Sequence, residues 1–477
     1  GNFTAAIGPG ANNLYLFVRS DGTAKQKQTL SFNNATVTWY LGTDCEIGKS
    51  YNPQTVYGAQ TTVMYSSDQE SVAKIENGKI KIVGAGSATI TATAESSDEY
   101  YGATASYTLR IVKSPSQDWE DMGTFSLENR ALQDYLDDAI SHYSDNDDAT
   151  NSVMATYAAS SAYAAIDRKD CPNPVTIKWT YSAASSSTVI AIYEDKTLTS
   201  QVWSQNATEN STSADVFNLI PGRTYYYTVS EDSTVWEKGY FNTTGRRRMI
   251  KVSDVEKKGH ANNCRDLGGL EVTDKGEKKA IKYGYIFRGT NMDKTTDNDK
   301  EKSILTDFLN IGMDVDLRNG YSTSPGGDDG SSSCYRPFSS SIMGYINPGF
   351  NSFTDLTTAS KVKDVLTAIF DTAKQGKASY FHCYIGADRT GYIAMLIEGL
   401  LGVSEKDCSI DYELTSFSEA AGLRYRTGRP QDYYFRQGIG FLRGKTGDTF
   451  QDKVENYVKS IGITQSQIDE FKSIVLE

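Results

Sequence analysis

The stretch from Phe381 to Gly391, FHCYIGADRTG, places a cysteine and an arginine in a C-x5-R spacing with one glycine between them. A thiolate is a nucleophile, and a guanidinium can bind two phosphate oxygens with its planar fork. Gly386 allows the backbone to turn so that successive N–H groups point at one anion. Thr390 can donate a hydrogen bond to the sulfur. This pattern predicts a loop that holds a phosphate group around a nucleophilic Cys383.

The residues on either side predict a strand that leads into this loop and a helix that leaves it. The segment ASYFHC is typical of a short buried strand, and RTGYIAMLIEGLLG is typical of a helix with one apolar face that stops at Gly402. A helix start carries unpaired N–H groups and about half a positive charge, which favour phosphate and lower the pKa of a nearby thiol. We expect Tyr384 and Ile385 to contribute N–H groups, and His382 to orient the loop rather than to act as a base.

Composition narrows the classes of function. The chain has 477 residues, a formal net charge of −12 and three histidines. The acidic balance argues against a nucleic-acid partner, and the few histidines argue against a His-rich metal site. The six cysteines are scattered without a C-x-x-C pair, so neither a zinc framework nor a dense disulfide scaffold is expected. No apolar run approaches the ~18 residues that span a bilayer. We expect several domains and no cofactor.

The N-terminal half carries β patterns in two blocks. We assign residues 1–28 to an extension and 29–113 to a first β-sandwich, in which KIENGKI contains the Asn-Gly dipeptide of a tight hairpin and GAGSATITATA alternates at period two. Residues 171–245 are assigned to a second sandwich, because VTIKWTY alternates and a Pro-Gly turn precedes the strand TYYYTV. Residues 114–170 carry helical spacing and are interpreted as a helical connector, or equally as a helical appendage of the next domain.

From residue 246 onward short apolar strands alternate with amphipathic helices. This alternation predicts an α/β domain over 246–477 with a mainly parallel central sheet. Helices are expected over KVKDVLTAIFDTAKQGK and, with capping patterns, at SEKD and TQSQ. The loop at Cys383 therefore lies at a strand–helix junction of this domain.

Three blocks of sequence resemble known families. SSDQESVAKIENGKIKIVGAGSATITATA resembles a bacterial immunoglobulin-like domain of group 2, and FNLIPGRTYYYTV resembles the turn and strand of fibronectin type III domains. NNCRDLGGL, YGYIFRG, GMDVDLRN and HCYIGADRTG occur in the order found in the bacterial protein tyrosine/lipid phosphatase family, and the closing helices also match. The resemblance implies two N-terminal β-sandwiches and a cysteine phosphatase domain that requires no metal.

The phosphatase resemblance implies a role for each matched residue. Cys383 is the nucleophile that forms a phosphocysteine, and Arg389 binds the phosphate and stabilises the transition state. Asp388 is implicated in proton transfer; the alternative is that it holds Arg389 or caps the helix. The expected phosphate-binding residues are Tyr384, Ile385, Gly386, Ala387 and Thr390.

Other candidate residues lie away from the loop. Arg265 and Asp266 of the CRDLGG motif are expected to lock strand and loop together rather than to perform chemistry. SPGGDDGSSS contains backup acids, for which a solvated loop is the other interpretation. The arginines of GLRYRTGRP would recognise further phosphates or an acidic substrate, unless they form a solvated face. The backup acids are Asp328 and Asp329, and the arginines are Arg424, Arg426 and Arg429.

The sequence departs from the family pattern in two places. The family loop reads C-x-x-G-K-D-R-T, and here Ala387 replaces the lysine, which adds charge for multiply phosphorylated inositides. The loss weakens a phosphoinositide assignment. A Gly/Ser-rich insertion, GYSTSPGGDDGSSSCYRP, follows DLRN, where family members place a glutamate, and it predicts a remodelled substrate rim. Cys334 in this insertion is a candidate for a protective disulfide with Cys383.

These observations predict an extracytoplasmic phosphatase, periplasmic, secreted or attached to the cell surface. Its expected partner is a phosphoprotein or a phosphorylated small molecule of phosphotyrosine-like type, and no nucleic acid. The alternatives are an inositol phosphate or phosphoinositide phosphatase, and a catalytically inactive phosphate-binding adhesion protein. The start GNFTAAIGPG resembles a trimmed one, so a removed N-terminal segment would provide membrane tethering. The β-domains would contact a cell-surface glycan or a protein.

Overall fold

The computed structural model describes residues 25–113, 118–142, 155–180, 184–232, 234–320, 335–350, 357–419 and 433–477. Its first unit has two sheets, with strand orders β1-β7-β6-β3 and β2-β5-β4, that share one apolar core. The strands are β1 (Thr36–Leu41), β2 (Ser50–Tyr51), β3 (Val63–Ser67), β4 (Ala73–Glu76), β5 (Lys79–Ile82), β6 (Gly86–Ala94) and β7 (Ala103–Lys113).

Two local predictions for this unit are confirmed. Asn77 and Gly78 have φ values of +51° and +72° and join β4 to β5 in an antiparallel hairpin, as a two-residue turn of this kind requires. Along β6 the alternating residues Ala88, Ile90 and Ala92 are buried, whereas the threonines between them are partly exposed. The period-two pattern therefore marks the face of β6 that packs on the core.

The second unit also has two sheets, ordered β11-β10-β13-β14-β8 and β12-β9. Residues Glu120–Ser126 lie in the range interpreted as a helical connector, but they form a strand that pairs in parallel with β14 (Thr234–Thr244). The main-chain hydrogen bonds to β14 stabilise this strand, because EDMGTFS has no clear alternation of apolar and polar residues. The strands are β8 (Glu120–Ser126), β9 (Val175–Lys178), β10 (Thr188–Tyr193), β11 (Gln201–Asn206), β12 (Ser213–Val216), β13 (Thr224–Glu231) and β14 (Thr234–Thr244).

The helical part of the connector packs against the α/β unit. It comprises α1 (Arg130–His142), a π-helical turn at Ala155–Ala159 and a 3-10 turn at Ser161–Tyr163. Four residues of α1 are buried in one cluster with Ile410 and Leu414 of the α/β unit, namely Ala131, Leu132, Tyr135 and Leu136. The Tyr135 hydroxyl donates to Glu413 at 2.5 Å, which adds a buried hydrogen bond to this contact.

The α/β unit contains a six-stranded sheet with the order β15-β16-β19-β22-β20-β21. The four strands β19, β22, β20 and β21 run parallel, and β15 and β16 are antiparallel to their neighbours, so the predicted mainly parallel sheet is confirmed. The strands are β15 (Arg248–Ile250), β16 (Cys264–Asp266), the separate hairpin β17 (Glu271–Asp274) and β18 (Glu277–Ala280), then β19 (Ile286–Gly289), β20 (Ile311–Asp316), β21 (Gly344–Ile346) and β22 (Ala378–His382).

Helices of this unit follow the predicted signals. Gly402 ends α4 (Asp388–Leu401) with φ +97°, and the side chains of Ser404 and Thr464 cap α5 (Glu405–Leu414) and α8 (Gln465–Val475). Helix α4 is expected to bury one face, but its residues from Thr390 to Leu401 are all buried, because α5 and the two helices α6 (Tyr433–Arg443) and α7 (Phe450–Ser460) also pack on it. The helices are α2 (Asp299–Ser303), α3 (Ala359–Lys374), α4 (Asp388–Leu401), α5 (Glu405–Leu414), α6 (Tyr433–Arg443), α7 (Phe450–Ser460) and α8 (Gln465–Val475), with 3-10 turns at Thr295–Asp297 and Thr415–Phe417 and a π-helical turn at Ile304–Phe308.

Several candidates from the sequence lie outside the described residues. They are Asp328, Asp329 and Cys334 of the insertion and Arg424, Arg426 and Arg429 of the arginine cluster. Within the ranges given above, the structure contains no helix both long and apolar enough to cross a membrane.

Candidate active site

The predicted phosphate loop lies at the carboxyl end of β22. This strand pairs in parallel with β19 on one side and β20 on the other, and α4 begins at Asp388. The loop, Cys383 to Ala387, joins the end of the strand to the start of the helix. In open α/β sheets ligands bind at the carboxyl ends of the strands, where the following helices begin. The loop therefore lies where this fold binds anions.

Cys383 begins the loop, and 2% of its surface is exposed. Burial alone would raise the pKa of its thiol, but the positive charge of Arg389 and hydrogen bonding from Thr390 outweigh this effect. The pKa of Cys383 therefore lies below its ordinary value. Among the residues that the structure describes, the buried Thr390 hydroxyl has no other hydrogen-bond partner, which leaves it for the sulfur.

The other described cysteines differ from Cys383 in this respect. Burial raises the pKa of each of them, and acidic neighbours raise it further. A thiol with a raised pKa stays protonated near neutral pH and is a poor nucleophile. These cysteines are Cys45, Cys171, Cys264 and Cys408.

The carbonyl groups of the loop accept hydrogen bonds from side chains that surround it. Because the carbonyl of one residue and the N–H of the next point in opposite directions across a trans peptide, carbonyls bonded outward leave the N–H groups directed inward. An arrangement of this kind is an anion-binding nest. The pairs are His382 to the Cys383 carbonyl (3.0 Å), Asn291 to Tyr384 (3.0 Å), Asn263 to Ile385 (3.3 Å) and Arg288 to Gly386 (2.8 Å).

Gly386 has the backbone conformation that the predicted nest requires. Its φ is +71°, and a Cβ at this position would lie 2.3 Å from the carbonyl oxygen of Gly289. Both the left-handed conformation and the close approach to the end of β19 exclude a side chain. The loop is thus packed directly on the neighbouring strand of the sheet.

Arg389 lies in the first turn of α4 and is half-buried. Its Nη1 donates to the Phe350 carbonyl at 3.0 Å, which ties the guanidinium to the segment that follows β21. Ala387 is fully buried and occupies the N-cap position of the helix. The residue that replaces the family lysine therefore packs inside the protein and carries no charge.

Asp388 lies next to Arg389 and is half-buried. Its Oδ1 accepts a hydrogen bond from the Tyr412 hydroxyl at 2.9 Å. The N-cap position belongs to Ala387, so Asp388 does not cap the helix by occupying that position. The carboxylate is instead positioned by α5, the helix that carries Tyr412.

His382 uses both ring nitrogens inside the protein. Nδ1 donates to the Cys383 carbonyl at 3.0 Å, and Nε2 lies 2.9 Å from the carboxylate of Asp314. Burial would lower the pKa of His382, but the carboxylates of Asp316 and Asp314 raise it to about 9. A ring that donates from both nitrogens is an imidazolium and orients the loop; it has no lone pair with which to act as a base.

Arg265 forms buried hydrogen bonds with residues next to the phosphate loop. It donates to the Asp411 carboxylate at 2.6 Å and to the Asn263 side chain at 2.7 Å, and Arg288 binds the same carboxylate. Two buried arginines thus share one aspartate; Arg265 also contacts Asn263, which holds the loop, and Arg288 donates to the loop itself. The charges of the pair lower the pKa of Asp411 although burial alone would raise it.

Asp266 fixes the turn after β16. It accepts from Arg248 at 2.9 Å and from the N–H groups of Gly268 and Gly284 at 2.9 and 2.7 Å. All of these partners belong to strand ends and turns, so the contacts stabilise the CRDLGG segment itself.

Several side chains that surround the loop were not identified from the sequence. Arg288 and Asn263 lie in the segments YGYIFRG and NNCRDLGGL, so the motif match located them without a role. Asp314 lies in GMDVDLRN and Asp411 lies in the matched closing helices, so the match located these two without a role as well. Asn291 carries no signal of its own, since what marks it is a partner distant along the chain. Arg318, in the DLR motif, is fully buried and binds the carboxylates of Asp293 and Asp316, behind His382; the hydrogen bonds are 2.7 to 3.2 Å long.

Comparisons with known proteins find similarity to tyrosine phosphatases. A model of the tyrosine phosphatase family matches residues 258–477, which include the loop and all the strands from β16 to β22. A tyrosine-protein phosphatase of Nostoc commune is 29% identical over 123 residues, 21% of this chain and 40% of that protein. A Cupriavidus necator protein, provisionally named a tyrosine-protein phosphatase, is 26% identical over 171 residues, 31% of this chain and 59% of that protein.

The chain thus spans less than two thirds of the length of these curated relatives. Among solved structures, the crystal structure of TpbA from P. aeruginosa is 14% identical, with a TM-score of 0.24, and the match covers 39% of this chain and 91% of that one. The family match supports a tyrosine-phosphatase-like domain at the C-terminal end of the chain.

Proposed function

We propose that this protein hydrolyses phosphate monoesters through a phosphocysteine intermediate on Cys383. The observation that supports the proposal is a thiol of lowered pKa at the base of a loop whose carbonyls bond outward, at the start of a helix. Inward N–H groups and a helix N-terminus bind a phosphate dianion and hold its phosphorus next to the sulfur. The tyrosine phosphatase match over residues 258–477 supports the same reaction class.

The proposed reaction has two steps. In the first, the Cys383 thiolate forms a P–S bond, the P–O bond to the substrate breaks, and the leaving oxygen takes a proton from Asp388. In the second, water attacks the phosphorus, the P–S bond breaks, and the proton of the water returns to Asp388. Arg389 and the loop N–H groups stabilise the charge of both transition states, so the proposal assigns no role to a metal.

We infer that the preferred substrates carry a single phosphate, on a phenol such as phosphotyrosine or on a small molecule. Ala387 supports this inference, because the position that carries a lysine in related loops is here buried and uncharged. A second phosphate of the substrate would find no cation at that position of the loop. The remaining loop donors match one phosphate group.

A second candidate function is the hydrolysis of inositol phosphates or phosphoinositides. One observation favours it: the Lys258 ammonium lies 4.7 Å from the centre of the Tyr384 ring, next to Cys383 in the chain. A cation beside the loop would attract a second phosphate. The ratio of kcat/KM for inositol polyphosphates to that for phosphotyrosine peptides distinguishes the two functions, and a ratio above one favours the second.

The location of the protein is part of the proposal. The resemblance of the N-terminal units to immunoglobulin-like and fibronectin type III domains supports an extracytoplasmic enzyme, and we propose that these units contact a glycan or a protein of the cell surface. Fractionation of cells that express the natural protein, followed by detection in the cytoplasm alone, would exclude this location.

Hydrolysis of an aryl phosphate in the presence of EDTA tests the proposed reaction. Cys383→Ser is expected to lower kcat/KM about a thousandfold or more, because the nucleophile is lost. Cys45→Ser, which removes a buried thiol of the first sandwich, is the matched control and is expected to retain full activity. Phosphate recovered on the peptide that contains Cys383 after acid quench would identify the intermediate.

Two outcomes would contradict the proposal. Undiminished activity of Cys383→Ser would exclude the covalent mechanism. Absence of turnover together with saturable binding of phosphate ligands would instead favour a phosphate-binding adhesion protein.

A further inference from the structure

The segment before β9 reaches the back of the phosphate loop. Asp170 is fully buried, and its Oδ2 accepts a hydrogen bond from the backbone N–H of Asn263 at 3.1 Å. Asn263 in turn donates through Nδ2 to the carbonyls of Ile385 (3.3 Å) and Gly386 (3.5 Å). A single residue therefore connects Asp170 to the loop.

The backbone of Asn263 has a conformation that needs support. Its φ is +53°, in the left-handed region, which asparagine adopts more readily than most residues but at a cost of roughly 1 kcal/mol. A hydrogen bond from its N–H to a buried carboxylate is charge-assisted and about twice as strong as a neutral one. Asp170 thus stabilises Asn263 in the conformation from which its side chain reaches the loop.

Arg168 holds Asp170 in place. Its Nε and Nη2 donate to the two carboxylate oxygens of Asp170 at 3.0 and 3.1 Å, a two-point contact that fixes the orientation of the carboxylate. The same guanidinium donates to the Ser253 carbonyl and to the Asn262 side chain, each at 2.9 Å. The charge of Asp170 is therefore paired with that of Arg168. The pair is held by Ser253, which follows β15, and by Asn262, which precedes β16.

We propose that Asp170 is a positioning residue for the phosphate loop, acting through Asn263. The proposal rests on the function proposed above. It assigns a part of the catalytic apparatus to a segment that lies outside the family match, which begins at residue 258. The reaction itself is unchanged; what Asp170 controls is the placement of the Ile385 and Gly386 peptide groups around the phosphate.

The test compares two quantities in the whole chain: kcat/KM for an aryl phosphate and the dissociation constant of vanadate, measured by calorimetry. Asp170→Ala is expected to lower kcat/KM and to raise the dissociation constant, each about tenfold to a hundredfold, because displacements of about 1 Å in a reacting site have effects of this size. In an Asn263→Ala background the same change is expected to alter them less than about twofold, since the path to the loop is already absent.

Tyr163→Phe is the matched control. It removes a part-buried hydrogen bond to Asp134 that does not reach the loop, so it is expected to lower the free energy of unfolding and leave both quantities unchanged. If Asp170→Ala does not fold, Arg168→Lys keeps the charge but loses the two-point contact, and a loss of about threefold to tenfold is expected.

The proposal is overturned if the Asp170 or Arg168 variant behaves like the Tyr163 control, with a loss of stability alone. It is also overturned if the losses of Asp170→Ala and Asn263→Ala multiply in the double variant. Failure of the proposed function would be recognised separately, as absence of turnover in the unsubstituted protein. The vanadate measurement would still report the geometry of the loop in that case.

Discussion

Substitution of Gly386 by alanine tests the geometry of the phosphate loop most directly. The new Cβ would lie 2.3 Å from the Gly289 carbonyl oxygen and 2.5 Å from its carbon. Real Cβ contacts are essentially never shorter than 3.0 Å, so the gap to the oxygen must widen by about 0.7 Å. Gly289 ends a central strand, and the next residue, Thr290, is held through its carbonyl by the Tyr380 hydroxyl at 2.6 Å. The loop is therefore the side that moves.

The magnitude follows from two separable costs. The left-handed backbone of a non-glycine residue costs about 1 kcal/mol of folding free energy, which lowers stability and leaves the loop in place. The displacement of the loop acts on catalysis, because misplacement by about 1 Å costs up to about a hundredfold in rate. We expect Gly386→Ala to lower kcat/KM for an aryl phosphate about tenfold to a hundredfold.

Gly376→Ala separates the two costs. Gly376 has φ +70°, close to the +71° of Gly386, but no atom lies within 4 Å of its added Cβ. It lies in the turn between α3 and β22, so the variant carries the backbone cost without the displacement. The assay is kcat/KM at a temperature at which both variants are folded, with unfolding free energies from urea titration. An activity of Gly386→Ala within about threefold of the unsubstituted enzyme, or an equal loss in Gly376→Ala, would refute the reasoning.

Two further predictions concern titration. Thr390→Val removes a hydroxyl that lowers the pKa of Cys383, so the pH midpoint for alkylation of Cys383 by iodoacetamide should move upward; an unchanged midpoint would contradict this role. The pKa of His382 is raised to about 9, so the stability it contributes is fully present below its ordinary pKa of 6.5 and is lost as pH rises through 9. The unfolding free energy of the unsubstituted protein relative to His382→Gln should therefore fall by up to about 3 kcal/mol between these limits, and a constant or growing difference would be evidence against a charged ring.

The elements that the sequence predicted well are those with local signals. Residues 383–390 and their flanking strand and helix are contiguous, so the residue types and patterns of one local segment together located the loop. Gly402, Thr464 and the hairpin at Asn77 were recognisable because each turn or cap needs one residue type in one backbone conformation. Period-two burial along β6 likewise depends only on neighbours in the chain.

The parts that could not be predicted depend on partners distant in sequence. Asp411 is 146 residues from Arg265, and Asp314 is 68 residues from His382; the matched segments contain both aspartates, but nothing in them says which side chain each one contacts. The strand Glu120–Ser126 exists because β14 offers an edge, not because its residues alternate. The all-round burial of α4 likewise depends on the helices α5, α6 and α7, whose packing no local pattern specifies.

The contacts of the connector also affect the order in which parts of the protein can fold during synthesis. Asp170 and Asn263 are 93 residues apart, and Tyr135 and Glu413 are 278 residues apart, with the strands β9 to β14 encoded between them. At about 5–20 residues per second, α1 leaves the ribosome on the order of tens of seconds before its partner helix does. The synthesis of the second sandwich is completed in that interval, whereas the apolar face of α1 stays exposed to water. Nascent chains should therefore keep α1 exposed until late in translation, and a chaperone that binds apolar helices would bind it until then.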